Sequence, residues 1–167
     1  MIWLNALLHG LVWSGIWVIA LYVTFRLVPH TLIHNYPKEL QELADIPIKS
    51  KRLTTCVSLL VWVVIIGYYL FAVLWTFRHR TDGFLDIMAF SFMVFMVWNI
   101  CDLTIMDWLL FCTVQPSVMV LKGTKGHPAY KDYMFHFIGF LKGTGIAAIF
   151  AFVIGGISYL ILNSLVW

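Results

Sequence analysis

Charged residues are scarce in this 167-residue chain. Only 11% are Asp, Glu, Lys or Arg, against about a quarter in soluble domains. That shortage excludes a water-soluble fold. At 62% hydrophobic and a mean hydropathy of +0.90, too much apolar surface would face water, so the bilayer is the expected solvent. Cysteine is equally sparse. Cys56, Cys101 and Cys112 form no CxxC and no Cys/His finger, which excludes a disulfide framework or a zinc finger and leaves small hydrophobes. No HxxxH or HExxH occurs, so the spacing specifies no metal centre, and nothing specifies a cofactor. "GTKGH" lacks the GxxxxGK[ST] frame of a nucleotide loop, although its glycines and lysines suit a lipid phosphate. Alternating polar residues are missing, which excludes a membrane barrel. No basic residue precedes Arg26, so the first apolar run lacks a signal-peptide n-region and reads as a retained helix. A net charge of +3, carried by loops beside apolar runs, points to lipid headgroups rather than nucleic acid as the nearest partners.

What is present in quantity is apolar length. Four spans are expected, at about 2–25, 53–77, 84–114 and 137–166, since about 20 apolar residues cross the hydrocarbon and only helices satisfy their own backbone there. The chain therefore reads as an all-α integral membrane protein, a single four-span domain over residues 1–167. Loop 26–52 carries Arg26, Lys38, Lys49, Lys51 and Arg52, and loop 115–136 carries Lys122, Lys125 and Lys131. The 78–83 turn carries Arg78 and Arg80. By the positive-inside rule both long loops are cytoplasmic and both termini lie on the other side. Within the first loop, "YPKELQELAD" predicts one short helix after Pro37, with Leu40, Leu43 and Ala44 resting on the membrane or the bundle.

Small residues recur every fourth position on the last span: Gly139, Gly143, Ala147, Ala151 and Gly155. Such a ridge lets two helix backbones approach, within the chain or in a homo-oligomer. Aromatics are abundant, with 13 Phe, 8 Trp and 7 Tyr. Trp3, Trp75 and Trp167 fall where interfacial anchors belong, while Trp13, Trp17, Trp62 and Trp98 lie deeper and read as packing. Asn5 with His9, and Tyr159 with Asn163, each share a helix face and are expected to tie the first span to the last.

The third span carries "NICDLTIMDWLLFC", and with it Asn99, Asp102 and Asp107. An Asp at mid-bilayer costs roughly 3 kcal/mol on insertion scales, so it needs a partner or a function. Placing the hydrocarbon over 87–107 sets Asp102 ~7 Å inside. Asn99 and Asp102 share a face, but α-helical spacing rotates Asp102 and Asp107 about 140° apart, so the two acids are not expected to stack; they line two walls of one crevice or face different neighbours. A continuous helix as long as this span must tilt, protrude or break. Opposite lie His136 and, about 9 Å further in, Lys142, preceded by a loop with His127, Tyr130 and Lys131. These residues nominate a polar crevice between spans 3 and 4 that binds a lipid headgroup or a small anionic ligand, with or without turnover. Two alternatives remain: a homo-oligomeric ion or proton channel or transporter using Asp102, and a membrane subunit or scaffold for another protein. "GHPAY", residues 126–130, resembles the RHPxY string of integral-membrane methyltransferases of the isoprenylcysteine and phospholipid type, where it helps bind S-adenosylmethionine. The resemblance is confined to these five residues: Gly126 stands at the family's Arg, and the acidic motif after the last span is replaced by "ILNSLVW".

Overall fold

A computed structural model describes residues 2–79 and 83–165, and all the regular structure in it is helical. The order is α1 (Ile2–Leu27), α2 (Lys38–Leu43), α3 (Lys51–Phe77), α4 (Phe84–Cys101, prolonged to Val114) and α5 (Tyr133–Leu165). Short 3-10 turns cover Pro29–Asn35 and Pro128–Lys131. Four helices are long and apolar enough to cross a membrane: α1, α3, the 31-residue run Phe84–Val114, and α5. This is the layout of a multi-pass membrane protein, and the expected spans match it to within a few residues. Trp167 and Arg80, assigned above to an anchor and a turn, lie outside the described residues.

Local chemistry sets the helix ends. Pro29 cannot continue α1 and instead opens a 3-10 turn. The Ser50 hydroxyl accepts from the Leu53 amide at 3.3 Å and caps α3. Asp132 accepts from the Phe135 amide at 2.9 Å and does the same for α5.

α4 packs most extensively on α5 and α1. Its contact with α5 uses the small-residue ridge: Ala147 and Ala151 are fully buried, and a Cβ on Gly155 would come within 3.1 Å of the Met88 backbone. A Cβ on Gly143 would meet the Asn99 amide oxygen at 2.7 Å. Gly139, the first of the series, faces open space. Four of the five small residues therefore serve contact within the chain. Between α1, α3 and α4 the core is aromatic. Trp13 sits 5.0 Å from Tyr69 and 5.5 Å from both Phe95 and Trp98, and its indole N–H donates to the Ile65 carbonyl at 2.9 Å. Trp17 stacks on Trp98 at 4.9 Å. At the far end of the bundle His9 bonds Tyr68 at 3.0 Å. This pair joins the first span to the second.

The third span does not end at Asp102; it widens. From Asp102 to Val114 the turns close i→i+5 instead of i→i+4. The Gln115 amide reaches back to the Leu110 carbonyl at 2.7 Å, and the Thr113 hydroxyl to that of Trp108, also five residues earlier, at 2.7 Å. Near the start of the wide stretch the Thr104 hydroxyl donates to the Ile100 carbonyl at 2.7 Å, competing for the acceptor that an α-turn would use. Gln115, with a left-handed φ of 51°, and Pro116 terminate it. The spacing of about 140° in an α-helix does not apply to a stretch bonded i→i+5, and both acids line one cavity, one of the two arrangements open from the sequence.

The two long loops meet at this end of the bundle. Tyr36, Leu40, Phe111, Met119, Leu121 and Tyr130 form a second apolar cluster there. α2 forms after Pro37 as expected; Leu40 is buried in the cluster, whereas Leu43 is exposed. The Tyr36 hydroxyl donates to the Met119 carbonyl at 2.7 Å, and burial pushes its phenol pKa up. On the surface, Lys122 pairs with Asp45 at 2.7 Å. The hydrogen bond and charge of this pair hold the Asp45 carboxyl below its ordinary range and the Lys122 ammonium above its own. The pair is therefore intact across the physiological range and opens only as acid protonates Asp45 or strong base neutralises Lys122. Replacing Tyr36 with Phe is expected to strand the Met119 carbonyl and cost about 1–3 kcal/mol, read as a lower unfolding midpoint in bicelles.

Candidate functional site

A cavity of about 710 Å³ lies where α1, the widened part of the third span and the first turns of α5 converge. Its size falls within the range of small-molecule sites. Trp17, Leu21 and Phe25 supply one wall, spaced four residues apart along α1 so that they share a face. Trp98 and Phe111 supply another, and His34, Asn35 and Tyr36, from the turn after α1, border it near the loops.

Five of the eight residues nominated from the sequence as ligand-binding or ion-handling line this cavity: Asn99, Asp102, Asp107, His136 and Lys142. His136 is 5% exposed, and its Nδ1 sits 3.0 Å from Asp107 Oδ1. Phe111 and Phe135 pack on its ring at 4.6 and 5.2 Å. This carboxylate fixes the imidazole's orientation and favours a proton on Nδ1. Nε2 is buried and has no hydrogen-bond partner. A buried nitrogen without a partner is costly, because it loses water and gains nothing in exchange. Asp102 also lacks a hydrogen bond or ion pair among the described residues, and Lys142 pairs with neither acid there. His136, Asp102 and Lys142 thus line one cavity, and among the described residues the imidazole Nε2, the Asp102 carboxyl and the Lys142 ammonium have no hydrogen bond or ion pair to protein.

Asn99 lines the cavity and also joins two helices. Its amide N–H2 donates to the Phe140 carbonyl and the Thr144 hydroxyl, both at 3.1 Å, and so clamps the third span to α5. The glycine at 143 gives that side chain its room.

His127, Tyr130 and Lys131 stand away from the cavity, in the loop. His127 Nδ1 accepts from the Ala129 amide at 3.2 Å and caps the 3-10 turn. Tyr130 is buried; its hydroxyl accepts from the Leu121 amide at 2.8 Å and bonds Thr124 at 2.7 Å. Lys131 closes the same turn, exposed. The GHPAY string is therefore built into loop architecture. Its imidazole and phenol hold backbone amides instead of facing the cavity.

Several lining residues escaped the sequence reading. His34, Asn35 and Tyr36 come from a loop far from the third span, and only their placement after the breaking Pro29 signalled a turn. Trp17 and Trp98 were read as packing, yet they also line the cavity. A second cavity, of about 200 Å³, adjoins the first. Trp17, Trp98, Asp102 and Met106 line both, and Leu11, Val18 and Ile105, with Ser14, Gly15 and Cys101, wall the remainder.

Chemically, the arrangement can bind a charged or strongly polar group at the edge of a lipid-like environment. The Asp107–His136 pair has the form of an oriented base. No serine, threonine or cysteine lines the larger cavity; the nucleophile types in its wall are carboxyl, amine, imidazole and phenol groups. Nor do the described His, Cys, Asp and Glu residues form a group of three that could hold a metal ion. No family model, curated protein or solved structure matches this chain.

Proposed function

We propose that the protein binds a membrane lipid by its polar headgroup, in the crevice between the third span and α5. The supporting observation is the buried His136 imidazole, which lines the cavity with the unpaired Asp102 and Lys142 and whose Nε2 has no protein partner. Aromatic walls from Trp17, Phe25 and Trp98 suit the glycerol and upper chain of a lipid, and the polar groups suit its head. With loops 26–52 and 115–136 in the cytoplasm and both termini on the opposite side, the crevice belongs to the cytoplasmic leaflet. Binding is favoured over turnover because no nucleophile is hydrogen-bonded to the Asp107–His136 pair among the described residues.

The test is lipid retention. Protein extracted from mixed-lipid membranes in mild detergent is expected to carry about one lipid per chain by native mass spectrometry. Replacing His136 with Phe fills the same space without a nitrogen. It is expected to lower retention about tenfold or more, the worth of one charge-assisted hydrogen bond. Equal retention by a folded His136→Phe variant overturns the reading, as does a wild-type protein that retains none.

A further inference from the structure

The polar groups of the crevice do not fit every headgroup equally, and their charges say which class fits best. This inference rests on the lipid-binding reading above. Asp107 is committed to His136 at 3.0 Å. Two groups of opposite charge type then remain, the half-buried Asp102 carboxyl and the ammonium of the exposed Lys142, which line one cavity without pairing to each other. The unpartnered Nε2 of His136, on a side chain 5% exposed, is a third group awaiting a ligand. A purely anionic headgroup would satisfy Lys142 but leave the Asp102 carboxylate uncompensated beside a like charge. A purely cationic one would satisfy Asp102 and leave Lys142. Uncompensated charge in a confined apolar setting is heavily penalised.

We propose that the crevice selects a zwitterionic ligand carrying a primary ammonium and a phosphate a few atoms apart, the chemistry of an ethanolamine phosphate headgroup. Asp102 takes the ammonium through N–H···O bonds. Lys142 takes the phosphate as a point charge, and Nε2 of His136 adds a hydrogen bond to it. A primary amine fits better than a quaternary one, because a carboxylate gains charge-assisted hydrogen bonds only from N–H donors. The second cavity favours a lipid over a soluble phosphate ester. It shares Asp102, Trp17, Trp98 and Met106 with the headgroup site and continues into Leu11, Val18 and Ile105, a slot suited to an acyl chain.

The experiment is a competition read by native mass spectrometry of the full chain in detergent. Short-chain phosphatidylethanolamine is set against phosphatidylglycerol, phosphatidylcholine and N-acetylated phosphatidylethanolamine of matched chains, and against free phosphoethanolamine. Phosphatidylethanolamine is expected to win by about tenfold over the glycerol and N-acetylated lipids, the scale of a charge-assisted hydrogen bond. Asp102→Asn is expected to abolish that preference, and Lys142→Gln to weaken all the phospholipids together. If phosphatidylglycerol or the N-acetylated lipid competes equally with wild type, the selectivity is overturned while lipid binding stands. If wild type binds none of the ligands, lipid binding itself has failed. Competition by free phosphoethanolamine at the strength of the lipid supports the ammonium–phosphate chemistry and assigns it to a soluble source. The N-acetylated comparison needs no substitution, so it decides the matter even if Asp102→Asn fails to fold.

Discussion

Alanine at position 107 is expected to destabilise the protein by about 3 kcal/mol, the lower end of what removing one member of a buried pair costs. The lower end applies because the Asp107 side chain keeps 27% of its surface exposed, and water offsets part of the loss. The destabilisation comes from what is left behind. His136 is 5% exposed and packed against Phe111 and Phe135, so without the carboxylate Nδ1 joins Nε2 in having no partner. Asparagine at 107 retains an acceptor oxygen and is expected to cost about 1 kcal/mol. The measurement is equilibrium unfolding in bicelles, with the two variants compared. Equal destabilisation by Ala and Asn would show that the charge, not the hydrogen bond, holds the imidazole. No destabilisation by either would remove His136–Asp107 as an organising contact.

A second large effect is expected where α1 crosses α4. A Cβ built on Gly10 lies 2.6 Å from Val97 Cβ and 3.2 Å from the Val94 carbonyl oxygen. Neither atom is the free end of a flexible side chain, so the helices themselves must separate. Gly10→Ala is expected to cost about 2 kcal/mol and Gly10→Val about 3, within the range of overpacked cores. The consequence reaches the crevice. Trp17, Leu21 and Phe25 follow Gly10 along the same helix, so a displaced α1 moves one wall of the cavity. Lipid retention by Gly10→Val is therefore expected to fall along with its unfolding midpoint. Gly67, which has open space around its Cβ position and lines neither cavity, is the control: Gly67→Ala is expected to leave both readouts unchanged or slightly raised. A Gly10→Ala variant as stable as wild type would mean that α1 and α4 have slack that the static contact does not reveal.

The spans were legible because composition alone determines them. A run as apolar as 53–77 has no stable arrangement in lipid other than a helix, whatever its neighbours. The short helix after Pro37 was legible for a related reason, since proline and early glutamates act locally. The packing of Gly143 and Gly155 on the third span followed from their spacing, which marks a close approach without naming the partner. The crevice was legible only in part. Asp102, Asp107, His136 and Lys142 stand out because ionisable groups are rare in such segments, but the geometry joining them depends on winding, and α-helical spacing separated the two acids. The one local hint was threonine: Thr104 and Thr113 both return hydroxyls to backbone carbonyls within the stretch that widens. The contribution of His34, Asn35 and Tyr36 was not legible, since it arises from Tyr36 and Met119 meeting across 83 residues of chain. His127 and Tyr130 misled for the opposite reason. Their chemistry is that of a site, and they spend it on loop amides.

The widened turns also settle a question of measure. Thirty-one residues wound throughout as α-helix would extend ~46 Å at the usual rise, well beyond a ~30 Å hydrocarbon layer. A helix of larger girth climbs less per residue, so the stretch from Asp102 to Val114 shortens the span along its axis while keeping all its backbone amides bonded. Surplus contour is thus converted into breadth at the depth where the acids sit, and hydrophobic mismatch is relieved without a break in the rod.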